Sequence, residues 1–223
     1  MKQSQESYTY INMIDKKVIQ SLFTNVCAKD ELRPIMAGVH FESERCYCSD
    51  GHVLVIYNES KKSLDGKTMT ATGEIIEGRY PNVDAVFPRE EDYGTMFTID
   101  IRQLRAACQW QQRQEDADEN DHVVINSVSY NIPTLTRLCN VLLLDTDPSK
   151  IKFYNSDPAK ATIVVGTKIK GLIMPTLYEE VNVDAEREFG GSIKTYSYEN
   201  LINEYVFNSW KKPQKPSPLA WLD

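Results

Sequence analysis

The sequence predicts an α+β fold with antiparallel sheets and helices on one face. Apolar residues recur at helical spacing in three places, and short runs of β-forming residues lie between them. The connections are too short for the crossovers that parallel strands require.

The first helix is marked by Ile14, Val18, Leu22 and Val26 at four-residue spacing, with Asp15 near its start as a cap. A second helix starts after Asp100, whose carboxylate can accept from free amides of the first turn, and carries Leu104, Ala107 and Cys108 inward. In a third, Asn131 is the cap, Pro133 sits in the first turn, and Leu135, Leu138 and Leu142 form the apolar stripe. Strands are expected over Gly38 to Ser43, Cys46 to Cys48, Val53 to Tyr57 and Thr68 to Ile76. Further strands are expected over His122 to Val128, Lys150 to Tyr154, Ala161 to Val165 and Gly171 to Met174. Gln111 to Asp121 is polar and acidic without apolar period, and reads as a solvated loop. Behind Ser197, Tyr198 to Trp210 reads as one amphipathic helix, and Lys211 to Asp223, with three prolines, as an extended tail.

The 223 residues are 41% hydrophobic and 26% charged, an ordinary globular composition that supports one large or two small domains. The apolar runs are far shorter than the ~20 residues of a membrane-spanning helix. Met1 to Tyr10 has no basic-then-apolar signal pattern, so a cytoplasmic location is expected. A net charge of −7 argues against coating nucleic acid with the whole surface, though it allows one locally basic face. The five cysteines have neither disulfide nor zinc-site spacing and read as core thiols. Neither a metal nor a cofactor is expected. His40, His52 and His122 lack a nucleophile or carboxylate partner in any catalytic motif, so the chain is not expected to be an enzyme.

Four stretches occur in a telling order: Arg33-Pro34-Ile35-Met36-Ala37-Gly38-Val39-His40-Phe41, Cys48-Ser49-Asp50-Gly51-His52-Val53-Leu54, Ile75 to Asn82 continuing through Val86-Phe87-Pro88, and Gly171-Leu172-Ile173-Met174-Pro175. Any one alone is only a turn or a strand end. Together they resemble the second and third domains of the DNA polymerase III beta subunit, the bacterial sliding clamp, over roughly Ile14 to Leu177. The resemblance implies clamp-like domains: an abbreviated unit over 1–92, a second over 93–180, and a C-terminal helix and tail over 181–223. The family's first domain has no counterpart, its turn arginine is replaced by Val53, and the chain between Tyr57 and Glu74 is too short for a full domain.

The resemblance also implies a groove for short linear peptides of DNA polymerase or other clamp-binding proteins. Carried over, its lining is Ser49, Gly51, His52, Leu54, Pro88, Met174, Pro175 and Leu177. An apolar trough with a few polar rim groups suits a hydrophobic anchor, and Met adapts to varied ligands. The same residues could instead be ordinary core and strand-end positions. Helices of the family also face double-stranded DNA, which here points to Lys16, Lys17, Lys29, Arg102, Arg105, Arg113 and Arg137. Arg102, Arg105, Gln109 and Arg113 share one helical face, as phosphate contacts or a solvated surface require alike. The apolar tail Ser217 to Leu222 loosely resembles a groove peptide. Two functions follow: a replication processivity or peptide-docking factor, with a homo-oligomer if a ring forms, or a phage- or mobile-element-type module that binds clamp-binding peptides or the host clamp without encircling DNA.

Overall fold

The structure is a computed structural model that describes residues 16–29, 32–59, 64–176 and 193–210. The expected Asp15 cap, Leu177 and the apolar tail lie outside the described residues.

The helix Lys16–Asn25 (α1) buries Val18, Ile19 and Leu22, the apolar face its spacing predicted. It leads into the antiparallel strands Val39–Glu42 (β1), Arg45–Ser49 (β2) and Val53–Tyr57 (β3), followed by the short Lys67–Met69 (β4) and Ile75–Ile76 (β5). After Thr95–Phe97 (β6) comes Ile101–Gln111 (α2), where Asp100 caps the amides of Arg102 and Gln103. The hairpin His122–Ile125 (β7) and Val128–Asn131 (β8) enters Ile132–Leu142 (α3), capped by the Asn131 side chain on the Thr134 amide at 3.0 Å. Lys152–Asn155 (β9), Thr162–Val165 (β10) and Ile169–Ile173 (β11) follow as an antiparallel meander.

Among the described residues, nine strands form one antiparallel sheet in the order β5-β4-β1-β2-β3-β11-β10-β9-β6. Its centre is a repeat. Each of α1-β1-β2-β3 and α3-β9-β10-β11 is a helix followed by three strands, and the two meet edge to edge where β3 pairs with β11. Cys46 faces Tyr57 in the first unit and Thr162 faces Ile173 in the second, so both strands are displaced by the same 116 residues. The antiparallel seam thus has a local two-fold character. Sequence comparison of the units is blind to this, because apolar strand positions tolerate many residue types at one register.

Strand alternation sends Val53, Val55, Ile169 and Ile173 into the main core beneath the helices. It sends Leu54, Ile56, Ile163 and Leu172 to the opposite face, where Tyr80, Val83 and Tyr93 from the β5–β6 connection cover them in a second cluster. On the helix side, α1 packs on α3, α3 on α2, and α2 on Tyr198–Trp210 (α4). All five cysteines are buried free thiols, and burial pushes Cys46 and Cys48 well above the usual thiol range.

The structure departs from the sequence expectations at four points. The run His122 to Val128 is two strands, because Asn126 and Ser127 take φ of 50° and 65° and reverse the chain as a tight hairpin turn. Thr68 to Ile76 likewise breaks into β4 and β5. The loop after α2 is not wholly solvated: Asp121 is 1% exposed and accepts from the Gln111 amide nitrogen at 3.2 Å and the Lys194 backbone at 2.9 Å. Finally, Thr195–Ser197 (β12) pairs parallel to β7 and makes a separate three-stranded sheet β12-β7-β8. The connection from β8 back to β12 runs through the rest of the second unit, long enough for the parallel pairing that short loops forbid.

Candidate functional site

At one end of the β3–β11 seam, the β2–β3 turn meets the residues that follow β11. Asp50 builds the turn: its Oδ1 accepts from the amides of His52 and Val53, both at 2.8 Å. The Ser49 hydroxyl accepts from the Gly51 amide at 3.0 Å, and Gly51 takes φ +93°, a conformation that residues with a Cβ resist. The His52 carbonyl then accepts from the Met174 amide at 2.8 Å, extending the seam beyond its last strand pair. Leu54 lies opposite Leu172 on the outer face.

This pairing brings Ser49, Gly51, His52, Leu54, Met174 and Pro175 into one region from sequence stretches more than a hundred residues apart. Gly51, His52 and Pro88 are exposed, Met174 is 41% exposed, and Pro175 is half-buried. Leu54 differs: at 3% exposure it is a floor residue beneath the covering aromatics rather than a wall. Pro88 follows Phe87, which packs on the same outer cluster. The Tyr80 hydroxyl accepts from the Ser49 amide at 3.0 Å, and burial raises the Tyr80 phenol far above its ordinary value. Lys170 lies over the Phe87 ring at 4.5 Å and the Tyr93 ring at 5.6 Å.

The expected basic residues are not one set. Lys16 and Lys17 line a shallow hollow on α1 with Gln20, Ser21, Thr24 and Asn25. Lys29, Arg102 and Arg113 are exposed. Arg105 is half-buried and donates to the Asn140 side chain, which in turn donates to that of Asn25 at 2.9 Å. Arg137 is bound to Asp50, with its Nη1 2.6 Å from Oδ2.

Several residues that hold the seam and its two ends were not among the expected groove residues, although two of them lie in the stretches that carry the resemblance. Leu172 and Tyr80 are two; the two-residue period leading to Met174 points to the first. Asp145 is another. It is 5% exposed and supports the opposite end of the seam by accepting from the amides of Thr167, Lys168 and Ile169 at 3.2, 3.0 and 2.9 Å. A lone Asp far along the chain carries no signal for that role.

Two helix-and-three-strand units joined strand to strand, with helices on one face and an exposed rim at the junction, define a clamp-like α+β fold. Solved structures of bacterial DNA polymerase III beta clamps are similar to it. The beta chain of Streptococcus pneumoniae TIGR4 matches with a TM-score of 0.57 at 15% identity, over 73% of this chain and 63% of that one. The beta subunit of Streptococcus pyogenes gives 0.56 at 14%, over 73% and 64%. The Helicobacter pylori beta clamp bound to DNA ligase peptide gives 0.54 at 13%, over 72% and 62%. The chain therefore spans less than two thirds of the clamp chains it matches. No protein-family model and no curated protein sequence matches it.

Proposed function

We propose that this protein is a clamp-like peptide-docking factor of DNA replication, a binding protein rather than an enzyme, acting in the cytoplasm. Its partners are DNA polymerase or other clamp-binding proteins, which would lay a short linear peptide on the rim where the β2–β3 turn meets the end of β11. The observation that carries this reading is the Met174–His52 backbone bond, which sets Met174 and Pro175 beside Gly51 and His52. An exposed Met and Pro beside a polar turn suit an apolar anchor residue with a few directional hydrogen bonds. The Helicobacter pylori clamp with its DNA ligase peptide is a precedent among structures of this fold. The proposed lining is Ser49, Gly51, His52, Pro88, Met174 and Pro175, with Leu54 buried below it; Leu177, also named by the resemblance, lies outside the described residues.

The test is fluorescence anisotropy with that ligase peptide in labelled synthetic form. Saturable binding, lost in a His52→Ala/Met174→Asp double variant that keeps its circular dichroism, is the expected result. No binding by the parent protein at high micromolar concentration would sink the proposal.

A second reading adds contact with double-stranded DNA through the helix layer. The exposed Lys16, Lys17, Arg102 and Arg113 favour it. Reversing the charge at Lys16 and Arg102 should flatten the dependence of DNA affinity on salt, because each phosphate contact releases condensed counterions. The variant acting without encirclement is supported by β12, which occupies an edge of β7 that a neighbouring subunit could otherwise extend. Solution mass separates the two: a strict monomer excludes a simple ring.

A further inference from the structure

We infer that Arg137 is a positioning residue for peptide docking, a strut that holds the β2–β3 turn from the helix layer, and this inference rests on the groove reading above. Asp50 uses its two oxygens for different tasks. Oδ1 closes the turn on the amides of His52 and Val53, and Oδ2 receives the Arg137 guanidinium at 2.6 Å. The same guanidinium donates to the Asn25 carbonyl at the end of α1 at 3.2 Å and to Thr134 Oγ1 within α3 at 3.3 Å. One side chain therefore links α1, α3 and the turn. The side chains of Arg137 and Asp50 are 30% and 12% exposed, so their attraction is less screened than that of a surface pair.

The geometry gives the pair a directional role. A guanidinium is planar, and its donors point in fixed directions. With acceptors on both helices already engaged, the remaining Nη1 direction fixes where Oδ2 lies. The carboxylate is rigid, so Oδ1 is fixed too, and with it the amides of His52 and Val53. The His52 carbonyl accepts from Met174. Turn and strand end, the two sides of the groove, are thereby held in register from the opposite face of the sheet. In this role the Arg137 guanidinium serves Asp50, Asn25 and Thr134 rather than phosphate.

The experiment uses the full chain. In Arg137→Met, amide hydrogen exchange at His52 and Val53 should quicken about tenfold, and affinity for the labelled ligase peptide should fall about tenfold. Arg137→Lys, which returns a cation to Asp50 without the planar fork, should recover only part of the affinity and leave exchange at the turn faster than in the parent. Asp50→Asn should weaken binding like Arg137→Met, and the double variant should be no worse than either, because the two residues act as one. Asn140→Ala is the control for a merely structural role. It breaks the Arg105–Asn140–Asn25 chain, and should lower Tm while leaving both exchange at the turn and peptide affinity unchanged.

Unchanged exchange at His52 and Val53 in Arg137→Met would overturn the strut. So would a fall in Tm with peptide affinity within twofold of the parent, or a flattened salt dependence of DNA binding in that variant. Failure of the parent protein to bind peptide would instead overturn the groove reading, while the exchange measurement would still decide whether Arg137 holds the turn.

Discussion

The two ends of the β3–β11 seam share a backbone and differ in what they expose. At one end Met174 donates to the His52 carbonyl at 2.8 Å; at the other Asn58 donates to the Lys168 carbonyl at the same distance. The bonds are equivalent under the 116-residue displacement of the two units. Each end also has a turn closed by a carboxylate on backbone amides, yet the source of the carboxylate differs. In the first turn it is Asp50 itself. In the second Gly166 holds the equivalent position, and a Cβ there would lie 2.5 Å from Oδ2 of Asp145, which enters from the connection after α3. The first end presents Met174, Pro175 and His52 to solvent. At the second, Glu59 pairs with Lys168 at 2.5 Å and accepts from the Tyr57 hydroxyl at 3.0 Å. One scaffold thus yields an apolar rim and a charged rim, and only the apolar one suits an inserted hydrophobic side chain.

The largest effect should fall on the seam that both ends share. Leu172→Ala empties a site 6% exposed on the outer face, and should cost about 2–5 kcal/mol in urea unfolding. A loss under about 1 kcal/mol would mean that the outer cluster contributes little to joining the units. Next is Asp145→Asn, which turns an amide donor toward the Thr167, Lys168 and Ile169 donors. It should cost about 1–3 kcal/mol of stability with no change in peptide affinity. Equal loss of affinity would show that the two ends are coupled rather than independent. Met174→Ala should do the reverse: affinity should fall about tenfold, equivalent to ~1.4 kcal/mol, because a single well-placed apolar anchor can dominate a small interface. Stability should change by less than about 0.5 kcal/mol, since Met174 is 41% exposed before any peptide arrives. The same loss at Glu59→Gln would erase the distinction.

These contrasts also mark what can be read from sequence. Asp100 and Asn131 declare their helices because capping is local chemistry, and both side chains accept from first-turn amides. Val53 to Tyr57 declares a strand by β-branched and aromatic residues alone. The Asn126-Ser127 reversal was hidden because residues on both sides are good strand formers, and only the positive φ values break the run. The clamp resemblance assigns His52 and Met174 to one groove, and in the fold the Met174 amide donates to the His52 carbonyl. The roles of Arg137 and Asp145 were not legible, because each depends on a partner 87 or 22 to 24 residues away. In the sequence Arg137 falls among the helix charges that the resemblance turns toward DNA, because nothing local shows that its acceptor comes from another element.

The smallest predicted effect tests the charged end most directly. The Lys168 ammonium and then the Tyr57 hydroxyl hold the Glu59 carboxyl below its ordinary value of 4.5. A folded-state pKa below the unfolded one means that the pair stabilises the protein above the ordinary carboxylate range. That contribution disappears as pH falls through the lowered folded value. Glu59 is largely exposed, so solvent screens the attraction, and Glu59→Gln should cost no more than about 0.5 kcal/mol at neutral pH. Urea midpoints of parent and variant should therefore differ slightly at neutral pH and converge once Glu59 is protonated. Peptide affinity should stay equal throughout, because the substitution leaves the Asn58–Lys168 backbone bond in place and touches nothing at His52 or Met174. A gap that persists at low pH would mean that the Glu59→Gln change disturbs packing against Tyr57, and that the charged rim owes its structure to more than its charges.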